Sequence, residues 1–100
     1  MYKQYYIYFM MSDNRNALYI GVTDNLERRV KEHQSGTIPG FTRKYCCTNL
    51  VYYETYSDVD EAIAREKKLK KWSRAKKETL IQTTNPHYED LSLSFRINNK

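Results

Sequence analysis

The stretch AIAREKKLKKW, Ala62 to Trp72, puts a carboxylate where a helix should be apolar. At about 100° per residue, Val59, Ala62, Ile63 and Leu69 form one stripe, and Glu66 falls inside it. A core-facing carboxylate is costly unless a positive group meets it. Folding back onto Arg65, or onto Lys70 at i,i+4, supplies one, at about 0.2–0.5 kcal/mol. Upstream, TDNLERRVKEHQSG places Leu26, Val30 and His33 on one helix face, with Arg29 on its flank and Arg28 opposite. Arg29 and His33 can therefore share a cleft, and Arg28 cannot. Two tyrosines in β-rich runs, Tyr8 and Tyr19, add phenols. These are residue types that bind anions and move protons. Each also has an ordinary use: strand tyrosines pack, a histidine on an apolar face is satisfied in the core, and arginines solvate surfaces.

The elements that must position them are short. QYYIYFM (Gln4 to Met10) and ALYIGV (Ala17 to Val22) read as strands joined through SDNRN, a hairpin. A turn centred on Asp13-Asn14 sets Tyr8 opposite Tyr19 on one face. Asp24 with Glu27 opens the first helix and Gly36 stops it. SGTIPGFTRKYCCT is a loop carrying Arg43 and Lys44. NLVYYETY (Asn49 to Tyr56) is a third strand, Asp58 with Glu61 opens the helix of Glu66, and Ser73 caps a last helix through Gln82. The pattern predicts an α+β fold: a small three-stranded antiparallel sheet flanked by about three helices, over residues 1–91, with a loose tail at 92–100.

Composition narrows the function class. Lys and Arg number 17 against 12 Asp and Glu, a net charge of +5, and eight of the bases lie between Arg65 and Lys77. A basic helix suits an acidic partner such as nucleic acid, or simply a solvated face. Ten tyrosines can pack a small sheet or stack on bases. Cys46 and Cys47 are adjacent, so they staple no distant segments and supply no metal-ligand spacing. No signal peptide or membrane-length apolar run is present, which makes a cytoplasmic protein the expectation. Walker, Rossmann and serine-elbow glycine patterns are absent.

Taken together, the residues carry more than they do singly. YIY at Tyr6 to Tyr8, YIG at Tyr19 to Gly21, then Arg29, His33 and a later helical Glu66 resemble the GIY-YIG nuclease superfamily. Eleven residues separate Tyr8 from Tyr19, ten separate Tyr19 from Arg29, and four more reach His33. GFTRKY, LVYYE, EAIAREKKLKKW and NP followed by DL are similar to the small stand-alone members of the YazA/YhbQ type. Tyr6 stands where the first motif is named for glycine.

The resemblance implies a structure-selective DNA endonuclease acting in repair with Mg²⁺ or Mn²⁺. Glu66 would hold the ion, Tyr8 would be the general base and Tyr19 would orient water or phosphate. Arg29 would clamp the phosphate, and His33 would support it or relay a proton. Arg43, Lys44, Lys67, Lys68, Lys71 and Asn85 would hold flanking nucleic acid without reading bases. Branched or single-stranded DNA is the implied partner, with a protein partner supplying specificity. The alternative is a non-catalytic nucleic-acid-binding module that keeps the fold.

Overall fold

Alternation along YYIYFMMS gives the first strand two faces that both need cover. In the computed structural model, which describes residues 3–97, that strand is β1 (Tyr5–Ser12). It is followed by β2 (Leu18–Thr23), α1 (Leu26–Gln34), α2 (Phe41–Lys44) and β3 (Cys47–Tyr56). The remaining elements are α3 (Val59–Lys70), α4 (Arg74–Thr84) and α5 (Leu93–Ile97). The sheet order is β2-β1-β3 with both pairings antiparallel, so β1 is central. The α+β architecture read from the sequence is the one observed.

Each face of β1 feeds its own core. Ile7, Phe9 and Met11 pack with Ile20, Val51 and Leu69 of α3, and with Ile81 of α4. Tyr8 and Met10 pack on the other side with Leu26 and Val30 of α1, Leu50 and Cys47. Full burial of such side chains stabilises the fold by about 1.5–3 kcal/mol each. Helix caps follow the sequence at two starts. Asp58 accepts from Asp60 N and Ser73 accepts from Lys76 N. At α1 the cap is Asn25, accepting from Arg28 N, one residue beyond the expected Asp24.

Several expectations shift. The hairpin pairs Tyr8 with Gly21 and Met10 with Tyr19, so Tyr8 and Tyr19 are diagonal neighbours rather than opposite. The turn closes later than predicted, with Ser12 N bonded to Ala17 O and Arg15 at positive φ. Both tyrosines still share one face, because the shift is an even number of residues. The segment read wholly as loop contains α2. Val59 and Ile63 are exposed, and α3 buries only Ala62 and Leu69 of its expected stripe. The expected loose tail starts as a helix instead: Ser92 is buried and Phe95 packs on the Tyr8 core. Residues 98–100 of that tail lie outside the described residues. Among the described residues, no helix is long and apolar enough to cross a membrane.

Glu54 ties α3 to the sheet. Its carboxylate accepts from Arg65 Nε and Nη2 at 3.1 and 3.0 Å, and from the Tyr52 and Tyr56 hydroxyls at 2.5 and 2.8 Å. Burial pushes this carboxyl up, but the donors from Arg65, Tyr52 and Tyr56 outweigh it and hold it below its ordinary value. Stability from this group is therefore complete above the usual carboxylate range and lost as pH falls through the depressed value. Glu54→Gln should cost about 2 kcal/mol, since it strands a half-buried guanidinium. Urea denaturation at neutral pH measures this, and the variant should also lose part of the acid sensitivity.

Candidate active site

Tyr8, Tyr19 and His33 meet because β1, β2 and α1 each turn one side chain into the same space. The Tyr8 hydroxyl lies 2.9 Å from His33 Nε2, and His33 Nδ1 lies 2.8 Å from Thr42 Oγ1 of α2. The Tyr8 and Tyr19 ring centres are 6.2 Å apart, and each is about equally close to His33, at 5.5 and 5.4 Å. Gly21 makes the arrangement possible. A Cβ there would stand 2.5 Å from Tyr8 Oη, 2.6 Å from Tyr8 Cζ and 2.9 Å from Tyr19 Cε2.

Electrostatics set the protonation states. Burial first, then the neighbouring Tyr19, pushes the Tyr8 phenol far up, and Arg29 pulls it back only in part. His33 is pushed down, by burial and then by the Arg29 charge. A protonated phenol facing a neutral imidazole donates to it. In the tautomer with the ring proton on Nδ1, Tyr8 donates to Nε2 and Nδ1 donates to Thr42.

Arg29 flanks this group from α1. Its Nη1 is 3.5 Å from Glu32 Oε1. Its Nε is, among the described residues, the buried side-chain nitrogen without a hydrogen-bond partner. A buried donor left unpaired is a place where an acceptor from outside fits. Glu66 stands on α3. Its side chain is 12% exposed and pairs with Lys70 at 2.8 Å. Lys70 Nζ also sits 6.0 Å above the Tyr19 ring centre, so one lysine links the carboxylate to the tyrosine group.

Residues 4–79 match the GIY-YIG catalytic domain. The chain belongs to this family. A UPF0213 protein of Natronomonas pharaonis is 40% identical over 81 residues, covering 81% of this chain and 94% of the relative. A UPF0213 protein of Clostridium perfringens is 37% identical over 78 residues, 78% of this chain and 83% of its own. The solution NMR structure of a UPF0213 protein from Bacillus halodurans has a TM-score of 0.56 and 31% identity. It spans 87% of this chain and 92% of that one. These relatives are UPF0213 proteins, and what they share with this chain is the GIY-YIG domain.

The five residues picked from the GIY-YIG spacing divide cleanly by position. Tyr8, Tyr19, His33 and Arg29 are neighbours, and Glu66 joins through Lys70. Arg43 and Lys44 are exposed on α2, beside the same group. On α3, Lys67 lies on the Lys70 side, whereas Lys71 is about 180° from Ala62 and Lys68 turns toward Arg65. Asn85 is corrected: it is 4% exposed and caps the end of α4. Its Nδ2 donates to Val51 O at 3.0 Å and Glu89 O at 2.9 Å, and its Oδ1 accepts from Glu89 N. Both Nδ2 protons are used, so the side chain has no donor left for a phosphate.

Sequence reasoning missed Thr42, Phe41, Lys70 and Lys77 as site residues. Phe41 stacks on Tyr19, and Lys70 and Lys77 line an open groove of about 380 Å³ beside it. The i,i+4 spacing from Glu66 already pointed to Lys70. Nothing in the spacing marked Thr42, because its helix sits inside a Gly- and Pro-rich run.

The lowered His33 value has a consequence for stability. As pH falls through the ordinary histidine range, near 6.5, the unfolded chain takes the proton before the folded one. The stabilisation is thus whole above that range and lost as pH drops below it. His33→Gln should flatten this part of the curve, which urea midpoints between pH 5 and 8 would show (about three units spanning the histidine range).

Proposed function

We propose that the protein is a metal-dependent endonuclease that hydrolyses phosphodiester bonds in DNA, selecting structure rather than sequence. One observation carries the reading: a buried, unpaired Arg29 donor beside a hydrogen-bonded Tyr8–His33 pair, with a largely buried Glu66 linked to Tyr19 through Lys70. Such a set receives a phosphate and handles the proton of an attacking water.

Arg29 would clamp the scissile phosphate, exchanging its contact with Glu32 for charge-assisted bonds to phosphate oxygens. Tyr8 and His33 would act as a unit. As water attacks phosphorus and the P–O bond to the departing sugar oxygen breaks, the water's proton passes to the Tyr8 oxygen while the Tyr8 proton moves to His33 Nε2, and the departing oxygen takes a proton from solvent. Neutral His33 is ready for this, and Thr42 holds its ring so that Nε2 faces the phenol. A phenol alone, raised so far, is a weak base at neutral pH. The neighbouring imidazole removes that difficulty. Tyr19 would orient the water or phosphate, and Lys67, Arg43 and Lys44 would hold flanking backbone. Specificity beyond DNA structure would come from a protein partner, and the work of the enzyme would be DNA repair in the cytoplasm.

GIY-YIG nucleases generally use a divalent metal ion. Among the described residues, no three His, Cys, Asp or Glu side chains cluster as ligands. Mg²⁺ needs only one or two carboxylates and keeps several waters, so Glu66 fits it, as it would Mn²⁺. The ion would neutralise charge on the phosphate, and Lys70 would be released to the backbone.

A second reading, a binding module without catalysis, is favoured by the Glu66–Lys70 pair, which already satisfies the acid internally. Incubating the protein with end-labelled flap, fork, junction, duplex and single-stranded oligonucleotides, in Mg²⁺, Mn²⁺ or EDTA, separates the two. Cutting that requires metal supports the nuclease; binding without cutting on every substrate overturns it. The acid limb of the cleavage rate should lie below the ordinary histidine pKa, because protonated His33 cannot accept from Tyr8.

A further inference from the structure

Large exposed aromatic rings on a small basic domain need a reason. Phe41 and Tyr45 are 44% and 46% exposed, and both stand on or beside α2 at the mouth of the site. They are not scattered. Their ring centres are 4.8 Å apart with the planes tilted by 52°, and Phe41 lies 6.4 Å from Tyr19 at an interplanar angle of 29°. Tyr8, Tyr19, Phe41 and Tyr45 thus form one continuous row from buried to solvent-exposed. Cations border its open end: Lys44 Nζ is 5.3 Å from the Tyr45 ring centre, and Lys70 and Lys77 share the groove with Phe41.

From this arrangement we infer that Phe41 and Tyr45 form a stacking platform for an unpaired base next to the scissile phosphate, making single-stranded nucleic acid the preferred ligand. The inference rests on the nuclease reading only for the position of that phosphate. Exposed aromatic rings beside cations are the means by which single strands are held without sequence readout. A paired base keeps its faces against its neighbours in the duplex and cannot use such rings. The groove beside Phe41, of about 380 Å³, is within the range of small-ligand sites, enough for a nucleotide.

The test uses the full chain in EDTA, where cutting does not enter. Fluorescence anisotropy measures binding to a labelled single strand of about 12 nucleotides, and to the blunt duplex of the same sequence, at low salt. Phe41→Ala/Tyr45→Ala should weaken single-strand binding by about tenfold or more and duplex binding by less than about twofold. Phe41→Tyr should keep single-strand binding within about twofold of the parent, since the ring face remains. Both alanine sites are surface positions, and circular dichroism checks the fold. Equal loss on both ligands, or unchanged single-strand binding, overturns the platform. A platform result in EDTA stands even if no metal ever yields cutting, so its failure and that of the nuclease reading are told apart. Parent protein that binds neither oligonucleotide overturns both.

Discussion

Glu66→Ala leaves nucleic acid bound and uncut. The loss should be at least about 10³-fold in the cleavage rate, because the carboxylate is the group proposed to hold the ion that neutralises the phosphate. Binding should strengthen slightly. Removing Glu66 takes a negative charge from the site and frees Lys70, which now pairs with it at 2.8 Å, for the backbone. The slope of log K against log salt should then steepen by up to about 0.9, one released counterion. Arg29→Ala runs the other way on binding. It removes a phosphate contact, so the slope falls by about the same amount while the rate drops by about 10²–10³. Opposite signs on binding with the same sign on cleavage separate an ion-holding acid from a phosphate-holding base. If Glu66 served only to pair with Lys70, its loss would cost under about 1 kcal/mol in urea and leave any cutting intact. Single-turnover assays with matched binding curves decide this.

How much of this was legible without coordinates depends on the range of the interaction. The strands and the faces of α1 follow from period and capping, which are local, so Leu26, Val30 and His33 are buried together as read. The hairpin register was off by two positions because it depends on where the turn closes, and Arg15 takes a positive φ that its residue type does not advertise. Thr42 and Phe41 were invisible for a different reason. Their helix is four residues long and is placed by tertiary contacts of His33 and Tyr19 rather than by its own propensity. The apolar stripe of α3 was overestimated, since Val59 and Ile63 stay exposed while Arg65 and Glu66 are half-buried beside Leu69. A polar residue with a partner at hand can replace an apolar one at such a border, and pattern alone does not reveal the partner. Asn85 shows the reverse error: a polar side chain read as a contact for nucleic acid is consumed by Val51 and Glu89.

The third residue of YIG should be as intolerant as any ligand of the site, although it touches no substrate. Gly21→Ala would set a methyl 2.5 Å from Tyr8 Oη and 2.6 Å from Cζ, with Tyr19 Cε2 at 2.9 Å. The Tyr8 side chain is 2% exposed and hydrogen-bonded to His33, so it has no free rotamer to move into. Overpacking of this kind costs about 1–3 kcal/mol. Displacing the phenol by about 1 Å should lower the cleavage rate by about 10²-fold. Two second-site changes tell which part of the tyrosine is responsible. Tyr8→Phe removes only the hydroxyl, and because Cζ is nearly as close as Oη, it should restore little stability to Gly21→Ala. Tyr8→Ala removes the ring, so the double variant should be more stable than the sum of the single changes predicts, by about 1–3 kcal/mol. It should nevertheless stay inactive, because the phenol that faces His33 is gone. Urea midpoints for the four proteins of the cycle measure the coupling. Strict additivity would mean that the glycine is needed for some reason other than the ring lying across it.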